Sequence, residues 1–269
     1  MGCRMTLSLI ASVKEILEKV KKATCKEIQF IEREELPTYA ALRMARADMP
    51  SHIILVKREH DEIINHLIAH ECGHILRVFG VQEEKRLIAR TNDRIKLSAL
   101  SEIEDEIQEL SAVLPFDRLA QVVNLWYNGT LRQVTNFPAD IMIEKWLYDN
   151  YPGLRGYQLT SIGKQQQEAL SGLAGEAEKI SPPTFINLSN IMNYAFFRIL
   201  GLHIGTNFVK AFANMKYLEK GKKLASLTDE GYIDNHEGDI EMVNKWAQFL
   251  GISNWFEWSR FENGSNCCV

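Results

Sequence analysis

The sequence predicts an α+β protein, and three observations carry that expectation. A helical apolar rhythm opens the chain, short β-like runs bounded by turn residues follow it before residue 58, and the remainder reads mainly as helix. The sheet is therefore expected in the N-terminal part, ahead of a mostly helical remainder.

The elements follow in order. Within residues 7–22, Leu9, Ile10, Val13, Ile16, Leu17 and Val20 recur at helical spacing and lead to a lysine-rich exit. Strands are expected at Glu27–Glu32, at about Thr38–Met44 and at Ser51–Lys57 (SHIILVK). The middle one is read as a strand although AALRMARA could also form helix, and Pro37 and Asp48-Met49-Pro50 separate them as turns. A long helix is expected over Asp61–Phe79, with Asp61 capping its start and Gly80 left-handed at its end. Residues 82–112 are charged and helix-prone, above all Ser101–Leu110. Arg118–Trp126 reads as a helix ending in an Asn128-Gly129 turn. A further helix is expected from Asn136-Phe137-Pro138, with proline in its favoured first turn, to Asn150, where Tyr151-Pro152-Gly153 breaks it. The Gly- and Pro-containing stretch Ser171–Pro183 is the expected boundary between a domain of residues 1–180 and a helical subdomain of residues 181–269. Beyond it, residues 186–226 and 238–250 read as helices, with Trp246, Trp255 and Trp258 as bulky packing groups.

Composition excludes several classes. The 269 residues are 46% hydrophobic and 25% charged, enough for a substantial core. A formal charge of −4 argues against a nucleic-acid partner, which calls for a basic surplus. No apolar run reaches the roughly 18 residues that cross a bilayer, so a cytoplasmic protein without a membrane partner is expected. Cys3, Cys25, Cys72, Cys267 and Cys268 are odd in number and scattered, which suits a reducing compartment, and without a Cys-x-x-Cys pair a thiolate zinc site is not expected. Gly2 sits in a short myristoylation-like pattern, for which an ordinary start is the plainer reading.

The chemistry concentrates in His70-Glu71-Cys72-Gly73-His74. Histidines at i and i+4 lie one helical turn apart on one face, so both imidazoles can reach one tetrahedral zinc ion. Glu71 is rotated by about 100° from His70, within reach of the metal's open position, where it can take a proton from the attacking water. Gly73 leaves room for another segment to approach the helix. The bland alternative is a helix whose histidines pack or face water. Cys72 points away from the histidine stripe and reads as a small apolar residue. His66, one turn before His70, reads as packing or as support behind a ligand, since a third turn diverges from a metal centred on the other two.

HECGH following SHIILVK resembles the zincin metallopeptidases. The resemblance spans about residues 25–150, and only the five-residue motif is specific. It implies a zincin-like core, zinc as cofactor, a protein or peptide as substrate, and Ser51–Lys57 as the strand along which substrate adds. The glycine and third histidine of the metzincins do not follow His74, so the gluzincin branch is implied, with a third ligand glutamate from a later helix. The layout also resembles the cytoplasmic ImmA/IrrE-type metallopeptidases, which cleave a specific repressor.

Two groups of acids can supply that ligand. Glu102, Glu104, Asp105, Glu106 and Glu109 spread around their helix and read as a solvated face. Asp140 and Glu144 stand at i and i+4 among Ile141, Met142, Ile143, Trp146 and Leu147, where an acid needs a partner. Glu144 is the expected third ligand and Asp140 the acceptor behind a ligand histidine; the exchanged roles, or Glu106 or Glu109 as ligand, remain open. Tyr157, Tyr194 and His203 are equal candidates for stabilising the oxyanion. The expected activity is zinc-dependent peptide hydrolysis with Glu71 as general base. The alternative is a zinc-bearing regulatory or partner-binding protein with little or no proteolysis.

Overall fold

The computed structural model describes residues 7–36, 38–58, 63–172, 175–212 and 217–261. It is α+β and mostly helical. The elements in order are α1 (Ala11–Thr24), β1 (Glu27–Arg33), β2 (Ala40–Arg43), β3 (Ser51–Lys57), α2 (Ile64–Phe79), β4 (Leu87–Arg90), α3 (Asp93–Ser101), α4 (Glu104–Ser111) and α5 (Phe116–Asn150). They continue with α6 (Arg155–Gly172), α7 (Glu176–Lys179), α8 (Pro183–Ile204), α9 (Leu218–Gly231), α10 (His236–Leu250) and β5 (Glu257–Arg260). The expected cap Asp61, the turn residue Pro37, and Gly2, Cys3, Cys267 and Cys268 lie outside the described residues.

The chain forms two compact units, each assembled from separated segments. Residues 1–88, 142–163 and 259–269 make the first; residues 89–141 and 164–258 make the second.

In the first unit β3 lies between its neighbours, parallel to β1 and antiparallel to β2. Alternation along β3 buries His52, Ile54 and Val56 on one face. Val13, Ile16 and Val20 of α1, Ile64, Ile68, Cys72 and Ile75 of α2, and Ile143 and Leu147 at the end of α5 complete that core. Each buried Ile or Leu contributes about 1.5–3 kcal/mol. The position of β3 corrects one expectation. Its backbone is paired on both sides, from Glu27↔Ser51 to Arg33↔Lys57 with β1 and from Ala40↔Val56 to Arg43↔Ile53 with β2. Ile53–Val56 is therefore paired on both sides and offers no edge to a substrate strand; among the described residues the outer strands of this sheet are β1 and β2.

Gly80 ends α2 in a right-handed conformation (φ −72°, ψ −9°), not the expected left-handed one. A Cβ there would come within 2.8 Å of the Leu76 carbonyl oxygen, so glycine serves for room. A further correction concerns α5, which runs unbroken through Asn128-Gly129 and carries Pro138 inside it.

The second unit is helical with an aromatic interior. Phe137 stacks on Phe196 with ring centroids 4.3 Å apart, and Phe197 stacks on Phe212 at 5.4 Å. The buried indole of Trp246 donates to Thr228 and that of Trp255 to Glu102, so each polar handle is satisfied. Trp258 is half-buried and donates to Asn244. Among the described residues, no helix is long and apolar enough to cross a membrane.

Candidate metal centre

Helix α2 forms because Ile64, Ile68, Cys72 and Ile75 repeat on the stripe that meets the sheet and α1. The same period stacks His66, His70 and His74 on successive turns of another stripe. His66 is buried at 2% exposure, whereas His70, Glu71 and His74 are half-buried. The three motif side chains are thus partly accessible to solvent.

The outer pair converges. Nε2 of His70 and Nε2 of His74 are 3.2 Å apart. Two ligands on a tetrahedral zinc with bonds of about 2.0–2.1 Å lie about 3.3–3.4 Å apart, so this spacing suits either one shared proton or one shared metal ion. The pair could hold a metal ion on that ground.

The inner pair is bridged by a carboxylate. Glu144, 3% exposed, accepts from Nδ1 of His70 at 2.7 Å and from Nε2 of His66 at 2.9 and 3.0 Å. Nε2 of Gln158, on α6, donates to the same carboxylate at 2.5 Å and to the Glu144 carbonyl oxygen at 2.8 Å. Burial opposes the charged form of Glu144, but the charge and hydrogen bond of His66 and the hydrogen bond of His70 outweigh it. The carboxyl is held well below the usual carboxylate range. An ionised carboxylate only accepts, so Nδ1 of His70 carries a proton, and Nε2 is the nitrogen that faces His74.

The chain matches no protein-family model, no curated protein and no solved structure.

The remaining expected residues fall as follows. Cys72 is fully buried in the core, and burial together with the Glu71 charge pushes its thiol up. Gly73 faces Ile143 of α5. Asp140, also buried, stands one turn before Glu144 along α5. Tyr157 packs partly buried against the core of the first unit. Tyr194 and His203 belong to the second unit, where Tyr194 fills the space over Gly221. In the acidic group, Glu102, Glu104, Asp105 and Glu109 are exposed, as a solvated face requires. Glu106 instead accepts from the backbone N–H and hydroxyl of Thr184, at the start of α8. Gln158 carried no signal in the sequence: a neutral amide in a helix has neither the charge nor the spacing that marks a site.

Proposed function

We propose that this chain is a zinc-dependent peptide hydrolase with a zincin-like core. The observation that carries the reading is the pair of Nε2 atoms 3.2 Å apart on consecutive turns of α2, with the carboxylate residue Glu71 in the same half-exposed turn. The order of a small sheet leading directly into the motif helix supports it. His70 and His74 would hold the ion. Glu144 engages three hydrogen-bonding partners, which favours it as the group that orients His70. A zinc ion there supplies Lewis acidity to a carbonyl and lowers the pKa of water to about 7.

The rest is work for side chains. Glu71 takes the proton as water oxygen bonds to the peptide carbonyl carbon, then returns it to the amine nitrogen as the C–N bond breaks. Glu71→Gln tests this reading. The amide is nearly isosteric but accepts no proton near neutral pH, so the fold and the zinc content should hold while hydrolysis of a peptide library falls about 10²–10⁴-fold. Undiminished hydrolysis with zinc bound overturns the mechanism. A biological effect that survives in this variant points to the partner-binding alternative.

A further inference from the structure

We propose that His66 and Gln158 are positioning residues that lock Glu144 as a hydrogen-bond acceptor and so preset His70 in its metal-binding tautomer. The proposal rests on the zinc reading for its purpose, though not for its geometry. His66 spans both carboxylate oxygens of Glu144 from one nitrogen, at 2.9 and 3.0 Å. Gln158 ties the same residue twice, at Oε2 and at its backbone carbonyl, which fixes both ends of the side chain. Oε1 is thereby aimed at Nδ1 of His70, 2.7 Å away.

The partner count shows what these two side chains are for. Nδ1 of His66 and Oε1 of Gln158 are buried and have no hydrogen-bond partner among the described residues. Among the described residues, every polar atom that the side chains of His66 and Gln158 engage belongs to Glu144. Burying two polar groups with half their capacity unmatched costs stability, and apolar residues of similar shape would avoid that cost. What the polar pair adds is the fixed direction of the Glu144 carboxylate. Were that carboxylate free to rotate, His70 could place its proton on Nε2 and lose the lone pair that a metal needs.

The test uses the zinc-free full-length protein with ¹⁵N-labelled histidines. Long-range ¹H–¹⁵N spectra read which ring nitrogen of His70 is protonated, a signature that a merely structural role leaves unmoved. Wild type should show protonated Nδ1 and bare Nε2. His66→Phe and Gln158→Leu should each admit the other tautomer and weaken zinc binding about tenfold or more in competition with a chromophoric chelator. If His66→Phe fails to fold, Gln158→Leu decides alone. An unchanged His70 tautomer, with zinc affinity within about twofold of wild type, overturns the proposal. A tautomer that shifts in a protein that takes up no zinc sustains the brace and refutes the zinc reading instead.

Discussion

Ile143 occupies the space that a side chain on Gly73 would need: a Cβ built there falls 2.6 Å from Ile143 Cγ2. The contact joins the motif helix to the turn of α5 that carries Glu144. A β-branched residue has little χ1 freedom with which to yield. Gly73→Ala should therefore destabilise by about 1–3 kcal/mol in chemical denaturation, despite the better helix propensity of alanine, and should weaken zinc binding by displacing Glu144 from His70. In an Ile143→Ala background, which lacks Cγ2, Gly73→Ala should cost less than in the wild-type chain, a non-additivity that a double-mutant cycle measures. A stabilised Gly73→Ala protein with normal zinc content would contradict this account.

Zinc stoichiometry tests the ligand pair. Purified protein should hold about one zinc per chain, and His70→Ala or His74→Ala should lose it, because each removes a direct bond. Full retention in the double variant removes the site from α2.

The acids should separate by zinc content. Glu144→Ala should loosen the ion about 10–100-fold, and Glu106→Ala should leave it bound. Glu106→Ala should instead cost about 1 kcal/mol, since it holds the start of α8 through Thr184. Loss of zinc in the Glu106 variant alone would return the ligand to the acidic group.

Acid stability should report His52. This fully buried imidazole accepts the Ala45 backbone N–H on Nδ1 at 3.0 Å and meets Phe79 edge-on. Burial, with the nearby Lys26 charge, lowers its pKa from 6.5 to about 4. The folded state keeps the ring neutral while the unfolded chain takes a proton below pH 6.5. This contribution is therefore complete above that value and fades as the pH falls towards 4, by on the order of 2 kcal/mol. His52→Leu should lower stability at neutral pH, where Ala45 loses its acceptor, and flatten the profile between pH 6.5 and 4. An equally steep fall in the variant assigns the acid sensitivity elsewhere.

Much of this was legible in the chain, for identifiable reasons. SHIILVK announced β3 to the residue because β-branched runs bounded by turns admit few other readings. His70, Glu71 and His74 were legible as a motif, and Glu144 as an acid that an apolar helix must partner. Local punctuation misled at α5. Tyr127, Thr130, Leu131, Val134, Phe137 and Ile141 form one buried stripe through Gly129 and Pro138, and its burial outweighs the local cost of both residues. The β4–β5 ribbon was invisible because LIAR and EWSR are short, charged and far apart in sequence. For His66 the sequence left packing and a supporting role both open; its partner could only be seen once α5 and α6 were in place.

The interrupted construction of the first unit has a consequence for its birth. A chain made from its N-terminus extends α2, motif included, long before residues 142–163 exist. Until they emerge, Cys72 and Ile75 lack the cover of Ile143 and Leu147, and His70 has no carboxylate behind it. A nascent chain that ends before residue 142 thus carries all five motif residues yet cannot form the hydrogen bond between His70 and Glu144.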